Sequence, residues 1–482
     1  MKHKVFIVLV LSILVFSPVY GSSWFSLKDY GVKGERSENV TNSVQQVIDK
    51  CNKMGGGTVF FPPGDYLCGT LVLKSNVTLW LEAGATIWGS RNKEDYRQSK
   101  QISETAGFEN LPSSPVLIYA DRVQNVSIRG KGTIDVQAER EYLPLKHLDP
   151  FIEEETVIAR KSGVEMKQFY KVEPSTCMLF IKNSSNILIE DVTFWESSGW
   201  TLHLQWSEKI NIRGCRIYSS LVSGVNADGI DIDGCKDVCI SDCIIKTGDD
   251  AIVLKTTLKE GHAESCENIT VSNCLLTSTS SALKIGTETY ADFRYISFAN
   301  CIIRDTNRGL SIVVRDGATV EYVSFSNIQL ETKRKHFNWW GNGDPIWIVV
   351  KKRNENSKIG KIDNVRFDGI SGSGEGTSII EGFSSDYPLG KIVLNNVDLK
   401  MFPECLPDKR ATDGFKFSNV EYLSLSNMNI TWDGKKSEPN WRYTYYLEKI
   451  KKLELHRVRG RILNDICKTL IYTREIDDSI YD

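Results

Sequence analysis

The chain has almost no excess charge of either sign: 59 Lys and Arg against 61 Asp and Glu leave a net charge of -2 over 482 residues. A basic surplus of the kind that holds nucleic acid or an anionic membrane surface is therefore missing, and neither is expected as a partner. Long apolar runs are missing too, apart from residues 5–16. That run is too short for the ~20 residues a membrane span needs, so no membrane insertion is expected. It follows Met1-Lys2-His3-Lys4 and precedes the small residues Gly21, Ser22 and Ser23, the layout of a secretory signal peptide over residues 1–23. Residues 24–482 are then the exported part, secreted or periplasmic, and read as a single domain. No cysteine stands near the cleavage point to carry a lipid. Gly55-Gly56-Gly57 lacks a following Gly-Lys-Ser/Thr, which makes it a helix stop and not a phosphate loop. With 41% hydrophobic and 25% charged residues, the composition is that of a folded protein with an ample core.

What the chain does contain is a repeat. Alternating apolar residues, then Asn, Asp or Gly, then Cys or an aliphatic recur at Ile210, Val238, Ile269, Ile296 and Val323, with intervals of 28, 31, 27 and 27 residues. Fainter copies begin at Val77, Val126 and Ile187, and at Val365, Ile392, Leu423 and Leu453. Period-two alternation makes each copy a half-buried strand, and the Asn or Asp after it suits a left-handed turn. Helical periodicity is scarce between copies, which excludes βαβ folds. The period is short of the ~40 residues of a propeller blade. The reading is an all-β, right-handed parallel β-helix, a solenoid of short strands with rungs stacked about 4.8 Å apart. The one clear helix has caps at Asn39-Val40-Thr41-Asn42 and a stripe of Val44, Val47 and Ile48 up to Cys51; it is expected to cap the open first rung. Of the twelve cysteines, Cys215, Cys243, Cys274 and Cys301 share one repeat position, where stacked thiols and bridges are equally acceptable. Cys51 and Cys68 lie outside that register and are the expected disulfide.

A second strand aligns in each rung: Thr201-Leu202-His203-Leu204, Gly229-Ile230-Asp231-Ile232, Ala251-Ile252-Val253-Leu254, Ala282-Leu283-Lys284-Ile285, Gly309-Leu310-Ser311-Ile312 and Pro345-Ile346-Trp347-Ile348. With the aliphatics inward, His203, Asp231, Val253, Lys284, Ser311 and Trp347 form one outward column. Trp200, Asp228, Asp250, Ser281, Arg308 and Asp344 form another just before it. Asp228 and Asp250 thus belong to adjacent rungs, about 5 Å apart, while Asp249 points elsewhere. Stacked carboxylates repel, so their coincidence on one face suggests use. Turn chemistry is the alternative for each motif taken singly.

Asn226-Ala227-Asp228-Gly229-Ile230-Asp231 followed by Gly248-Asp249-Asp250-Ala251-Ile252 resembles the Asn-X-Asp and Gly-Asp-Asp signatures of glycoside hydrolase family 28, the polygalacturonases. Asp29-Tyr30-Gly31, the stretch from Gly55 to Tyr66, and Trp200-Thr201-Leu202-His203 resemble the same family. The resemblance implies hydrolysis of pectic polysaccharides or oligosaccharides with inversion, using no cofactor and no metal. Asp249 would be the general acid, and Asp228 and Asp250 would hold and deprotonate the attacking water. Inversion ordinarily separates acid and base by about 6.5–9.5 Å. Crowding would keep one of the three protonated.

The chain also departs from that pattern. The family's Gly-His-Gly and Arg-Ile-Lys motifs are absent, with Ser281, Ser311 and Val313 in their places. Lys284 and Arg308 remain on the face, either to receive a uronate or to pair with the aspartates. Asn226, Asp231 and His203 complete the expected substrate contacts, although His203 beside Trp200 also fits a buried structural role. Trp339 and Trp340, in a Gly-rich insertion from His336 to Pro345, either wall the cleft or pin their loop. A calcium-dependent pectate lyase and a catalytically silent carbohydrate-binding β-helix are the competing readings. The protein is expected to act as a monomer.

Overall fold

The computed structural model describes residues 23–96, 115–138, 176–335, 341–433, 438–461 and 469–481, with shorter pieces between 142 and 172. Most of the expected leader, Trp339 and Trp340 lie outside these residues.

The chain winds as a parallel β-helix. Every strand pairing in the main sheet is parallel and joins equivalent strands of successive rungs; the small pair Tyr142–Pro144 and Tyr170–Val172 is antiparallel. Each central rung has three faces. In one turn, for example, Ile230–Asp233 leads to Lys236–Ser241 and then to Ile244–Thr247. The repeat read from the sequence is the second of these faces. Ile187, Ile210, Val238, Ile269, Ile296, Val323, Val365, Ile392, Leu423 and Leu453 are direct Cα partners from rung to rung.

The inward residues make one continuous core of aliphatic and aromatic ladders. Phe298, Phe325 and Phe367 stack with ring centroids 4.9 and 5.0 Å apart, a contact worth about 0.5–1.5 kcal/mol per pair beyond area burial. The corner between the second and third faces is uniform. Two residues separate Arg213 from Arg216, Ser241 from Ile244, Ser272 from Leu275 and Ala299 from Ile302. The first of the two is Gly214, Asp242, Asn273 or Asn300, with φ of 65°, 58°, 57° and 54°. Gly, Asn and Asp are the residues that take this left-handed conformation at least cost. The next residue of each corner is the cysteine of the repeat. All four thiols are free, and those of Cys243, Cys274 and Cys301 donate to backbone carbonyls 3.2 Å away.

Cys51 and Cys68 form no disulfide: both are buried free thiols. Cys51 sits on the inner side of the helix Thr41–Lys53 with Val44, Val47 and Ile48, and its sulfur packs into the core beside Gly57. The helix is anchored by Gln45, which exchanges two hydrogen bonds with the backbone of Val72 at 3.0 and 2.7 Å.

Candidate active site

The face that carries the site has the register expected from the sequence. His203, Asp231, Val253, Lys284, Ser311 and Trp347 are consecutive Cα partners across six rungs. The preceding column continues the ladder: Gly229 donates to the carbonyl of Asp250 at 2.8 Å, Ala251 to that of Ser281 at 2.9 Å, and Ser281, Arg308 and Asp344 are partners. Asp228 therefore stands one rung from Asp250.

Asp249 enters the site through a tight approach of two loops. A Cβ on Gly248 would lie 2.3 Å from the carbonyl oxygen of Ser220 and 2.4 Å from that of Gly224, so only glycine lets the Gly-Asp-Asp turn settle there. Asn226, in left-handed backbone with φ 58°, then donates its N–H to Asp249 Oδ2 at 3.1 Å, and the Asp250 N–H donates to Asp249 Oδ1 at 2.9 Å. Oxygens of Asp228, Asp249 and Asp250 come together within 4.8 Å of one another. Their exposures of 2%, 4% and 2% leave a narrow mouth, whereas Asp231 and His203 are sealed at 0%.

Two lysines face the three carboxylates. Lys284 Nζ donates to Asp250 Oδ2 at 2.6 Å, while Asp250 Oδ1 accepts from the Ser280 hydroxyl at 2.9 Å and the Ser281 N–H at 3.1 Å. Lys255 Nζ lies 3.2 Å from Asp228 Oδ2 and 3.1 Å from Asp231 Oδ1, and 3.6 Å above the ring of Trp200. Burial acts against its charge, but Asp228, Asp231 and Glu288 outweigh it and hold the ammonium well above the ordinary lysine value. Lys255 was not among the residues anticipated. Its signal was available in Gly248-Asp249-Asp250-Ala251-Ile252-Val253-Leu254-Lys255, where period two puts it on the outward side with Val253.

Burial and the charges of Asp228 and Asp250 raise Asp249 well above the usual carboxylate range. Asp231 is raised similarly, by burial and Asp228. Asp228 is raised less, because Lys255 opposes its burial. Lys255 lies against Asp228 and Lys284 against Asp250, so each carboxylate beside Asp249 has an ammonium partner. That set combines a proton donor with two acceptors in one desolvated mouth. A divalent ion would find enough oxygen here for a first shell, but it would have to displace two ammonium groups already on those oxygens.

The other anticipated contacts are engaged within the protein. Arg308 donates through Nε and Nη2 to Asp344 Oδ2 at 3.1 and 3.0 Å and covers Trp347 at 4.3 Å. His203 is sealed from solvent. Its ring stacks on Phe180 at 4.6 Å, Nε2 meets Asp233 Oδ2 at 3.2 Å, and burial depresses its pKa. Asp231 is closed off beneath Lys255.

If Asp249 acts protonated and Asp228 ionised, kcat/KM follows a bell against pH. Activity rises as Asp228 ionises and falls as Asp249 ionises, so both limbs lie above the ordinary aspartate value of about 3.9. Asp249 feels the charge of Asp228, so the two limbs belong to the pair and not to either residue alone. A pH profile whose acid limb falls at an unshifted aspartate value contradicts this arrangement.

Against known proteins, the model of "Glycosyl hydrolases family 28" matches residues 51–400. A Vitis vinifera sequence named "Probable polygalacturonase" is 27% identical over 239 residues, covering 48% of this chain and 44% of its own. The exo-poly-alpha-D-galacturonosidase of Dickeya chrysanthemi is 25% identical over 294 residues, 55% of this chain and 48% of its own. The chain thus spans about half the length of these curated relatives. The crystal structure of a hyperthermoactive exopolygalacturonase from Thermotoga maritima superposes with a TM-score of 0.66 at 22% identity, covering 87% of this chain and 93% of that one.

Proposed function

The chain belongs to glycosyl hydrolase family 28, and on that premise we propose that it is an exported hydrolase of pectic glycans, of galacturonan or rhamnogalacturonan type, that inverts the anomeric centre. The observation that carries this reading is the meeting of three carboxylates within 4.8 Å, one of them pushed towards its neutral form. Asp249 donates its proton to the departing glycosidic oxygen. Asp228 and Asp250, on adjacent rungs, hold a water between them at about 2.8 Å from each and accept its proton as it attacks. Lys255 and Lys284 lie against that pair at 3.2 and 2.6 Å.

The oxygens are closer than the separation of about 6.5–9.5 Å usual for inversion. The physical reason that inversion still fits is that the water bridges the two bases and need not sit between acid and base. Anomer-resolved NMR of the first-formed products tests this: retention of configuration would overturn it.

The substrate is settled by a digestion panel of homogalacturonan, rhamnogalacturonan and xylogalacturonan fragments, read by release of reducing ends. Ultraviolet-absorbing unsaturated products abolished by a chelator would replace the hydrolase with a calcium-dependent lyase. Binding with no release from any fragment would leave a carbohydrate-binding β-helix. We also propose export as a monomer after cleavage near residue 23. Among the described residues no helix is long and apolar enough to cross a membrane. N-terminal sequencing of secreted protein and its sedimentation check these points.

A further inference from the structure

Among the described residues, Arg315 and Lys351 are cations near the site that ion pairing leaves over. We propose that Arg315 and Lys351 form a carboxylate-binding subsite that receives a uronate of the bound glycan, on the rungs beyond the three aspartates. The inference rests on the glycosidase reading.

Register places the two side by side. Val313 and Val349, then Val314 and Val350, are Cα partners, and beyond them the Lys351 N–H donates to the Val314 carbonyl at 2.9 Å and the Arg353 N–H to that of Arg315 at 3.1 Å. Arg315 and Lys351 therefore continue the outward lines Ser311, Val313 and Trp347, Val349, about 4.8 Å from each other across the ladder. Like charges directly opposite destabilise a sheet, unless something between them supplies the opposite sign.

Among the described residues nothing supplies it. The carboxylates whose charge reaches Arg315 are Asp316 and Glu288, and those reaching Lys351 are Glu381 and Asp344. Each is already engaged. Asp316 and Glu288 lie 2.7 and 3.4 Å from Arg353, Asp344 lies 3.0 Å from Arg308, and Glu381 lies 3.2 Å from Lys416. Among the described residues no carboxylate stands within ion-pair distance of Arg315 or Lys351. Burial and the neighbouring cations depress both pKa values, with Arg353 acting on Arg315 and Arg308 on Lys351. An incoming anion relieves that repulsion.

The pair is within reach of solvent, Arg315 half-buried and Lys351 exposed. It is also close to the reacting groups. Glu288, which feels Arg315, lies 3.9 Å from Lys255 Nζ, and Lys255 touches Asp228. On the other side, Lys351 lies 5.4 Å from the centre of the Trp347 ring, which is two rungs, about 10 Å, from Lys284. A glycan lying across the aspartates and along the rungs brings a later ring to this pair. Lys284 and Arg308 cannot substitute for it, since each already holds an aspartate.

The test is steady-state kinetics of Arg315→Gln, Lys351→Gln and the double variant on oligogalacturonides and on their carboxyl-methylated counterparts. The double variant is expected to raise KM for the acidic substrate by about tenfold or more, as the loss of a charge-assisted hydrogen bond does. The same variant should leave kcat, the melting temperature and KM for the ester unchanged. It should also flatten the rise of KM with salt seen in the wild type. Unchanged KM on the acidic substrate, or an equal rise on both substrates, overturns the subsite while the hydrolase stands. A wild type that hydrolyses neither this substrate nor any of the panel overturns the glycosidase reading and the subsite together.

Discussion

Asp249→Asn is expected to fold and melt like the wild type and to lose at least a hundredfold in kcat, the lower end of the ~10²–10⁴ that general acid catalysis contributes. The fold is spared because Asp249 is already driven towards its neutral form by burial and by Asp228 and Asp250, and a neutral amide has nearly the same shape. The amide gives up one of the two acceptors that take the N–H groups of Asn226 and Asp250, a cost of about 1 kcal/mol. What disappears is the transferable proton. An aryl glycoside whose leaving group departs without protonation should therefore lose much less, a contrast that a merely distorted site would not produce. Turnover at the wild-type rate on the natural bond would remove Asp249 from the mechanism.

Lys255→Met is expected to act on stability as strongly as on rate. Its ammonium is the one cation within 4 Å of Asp228 and Asp231 among the described residues, and its side chain is only 6% exposed. Removing one partner of a buried ion pair costs about 3–5 kcal/mol, because the charge left behind has no water to return to. Asp228 is the charge left behind, since Asp231 is itself driven towards its neutral form by burial and by Asp228. Adding Asp228→Asn to Lys255→Met should recover a large part of the lost melting temperature. In activity, losing the ammonium raises Asp228 further, so the acid limb of the pH profile moves to higher pH. If Lys255→Met melts like the wild type with an unmoved acid limb, Lys255 neither holds nor tunes the site.

Much of this was legible in the sequence, and the reason is geometric. A strand alternates with period two and a rung returns to the same face after one repeat, so Asp228 over Asp250 and Lys284 over Val253 follow from counting. The same counting placed the second-face copies from Val77 to Leu453 in register. It stopped working where the strands leave the face. The pairing of Ile252–Thr256 with Ser281–Thr289 shifts register after Leu254, and beyond that point counting no longer says what Lys255 and Glu288 face. Nor does alignment report how far a flexible side chain reaches. Lys255 is the register partner of Asp233, yet its ammonium reaches back along the neighbouring strand to Asp231 and Asp228. Which carboxylate Lys284 and Arg308 would take was open for the same reason, since that depends on reach and burial; the structure pairs them with Asp250 and Asp344. Cys51 and Cys68 failed because sequence proximity says nothing about thiol orientation on a helix and a strand end.

The uniform rear corner has a further consequence. Its two-residue turns repeat without change past the site, whereas the corners bordering the active face vary freely: residues 219–229, 248–251 and 279–280 on one side, 234–235, 257–265 and 351–360 on the other. Length can be added to or taken from either front corner without moving the ladder that sets one rung on the next. The walls of the cleft and the alignment of its carboxylates are thus separately heritable. Descendants of such a protein can explore new glycans by insertion and deletion at the front while the rear acts as an unchanging ruler.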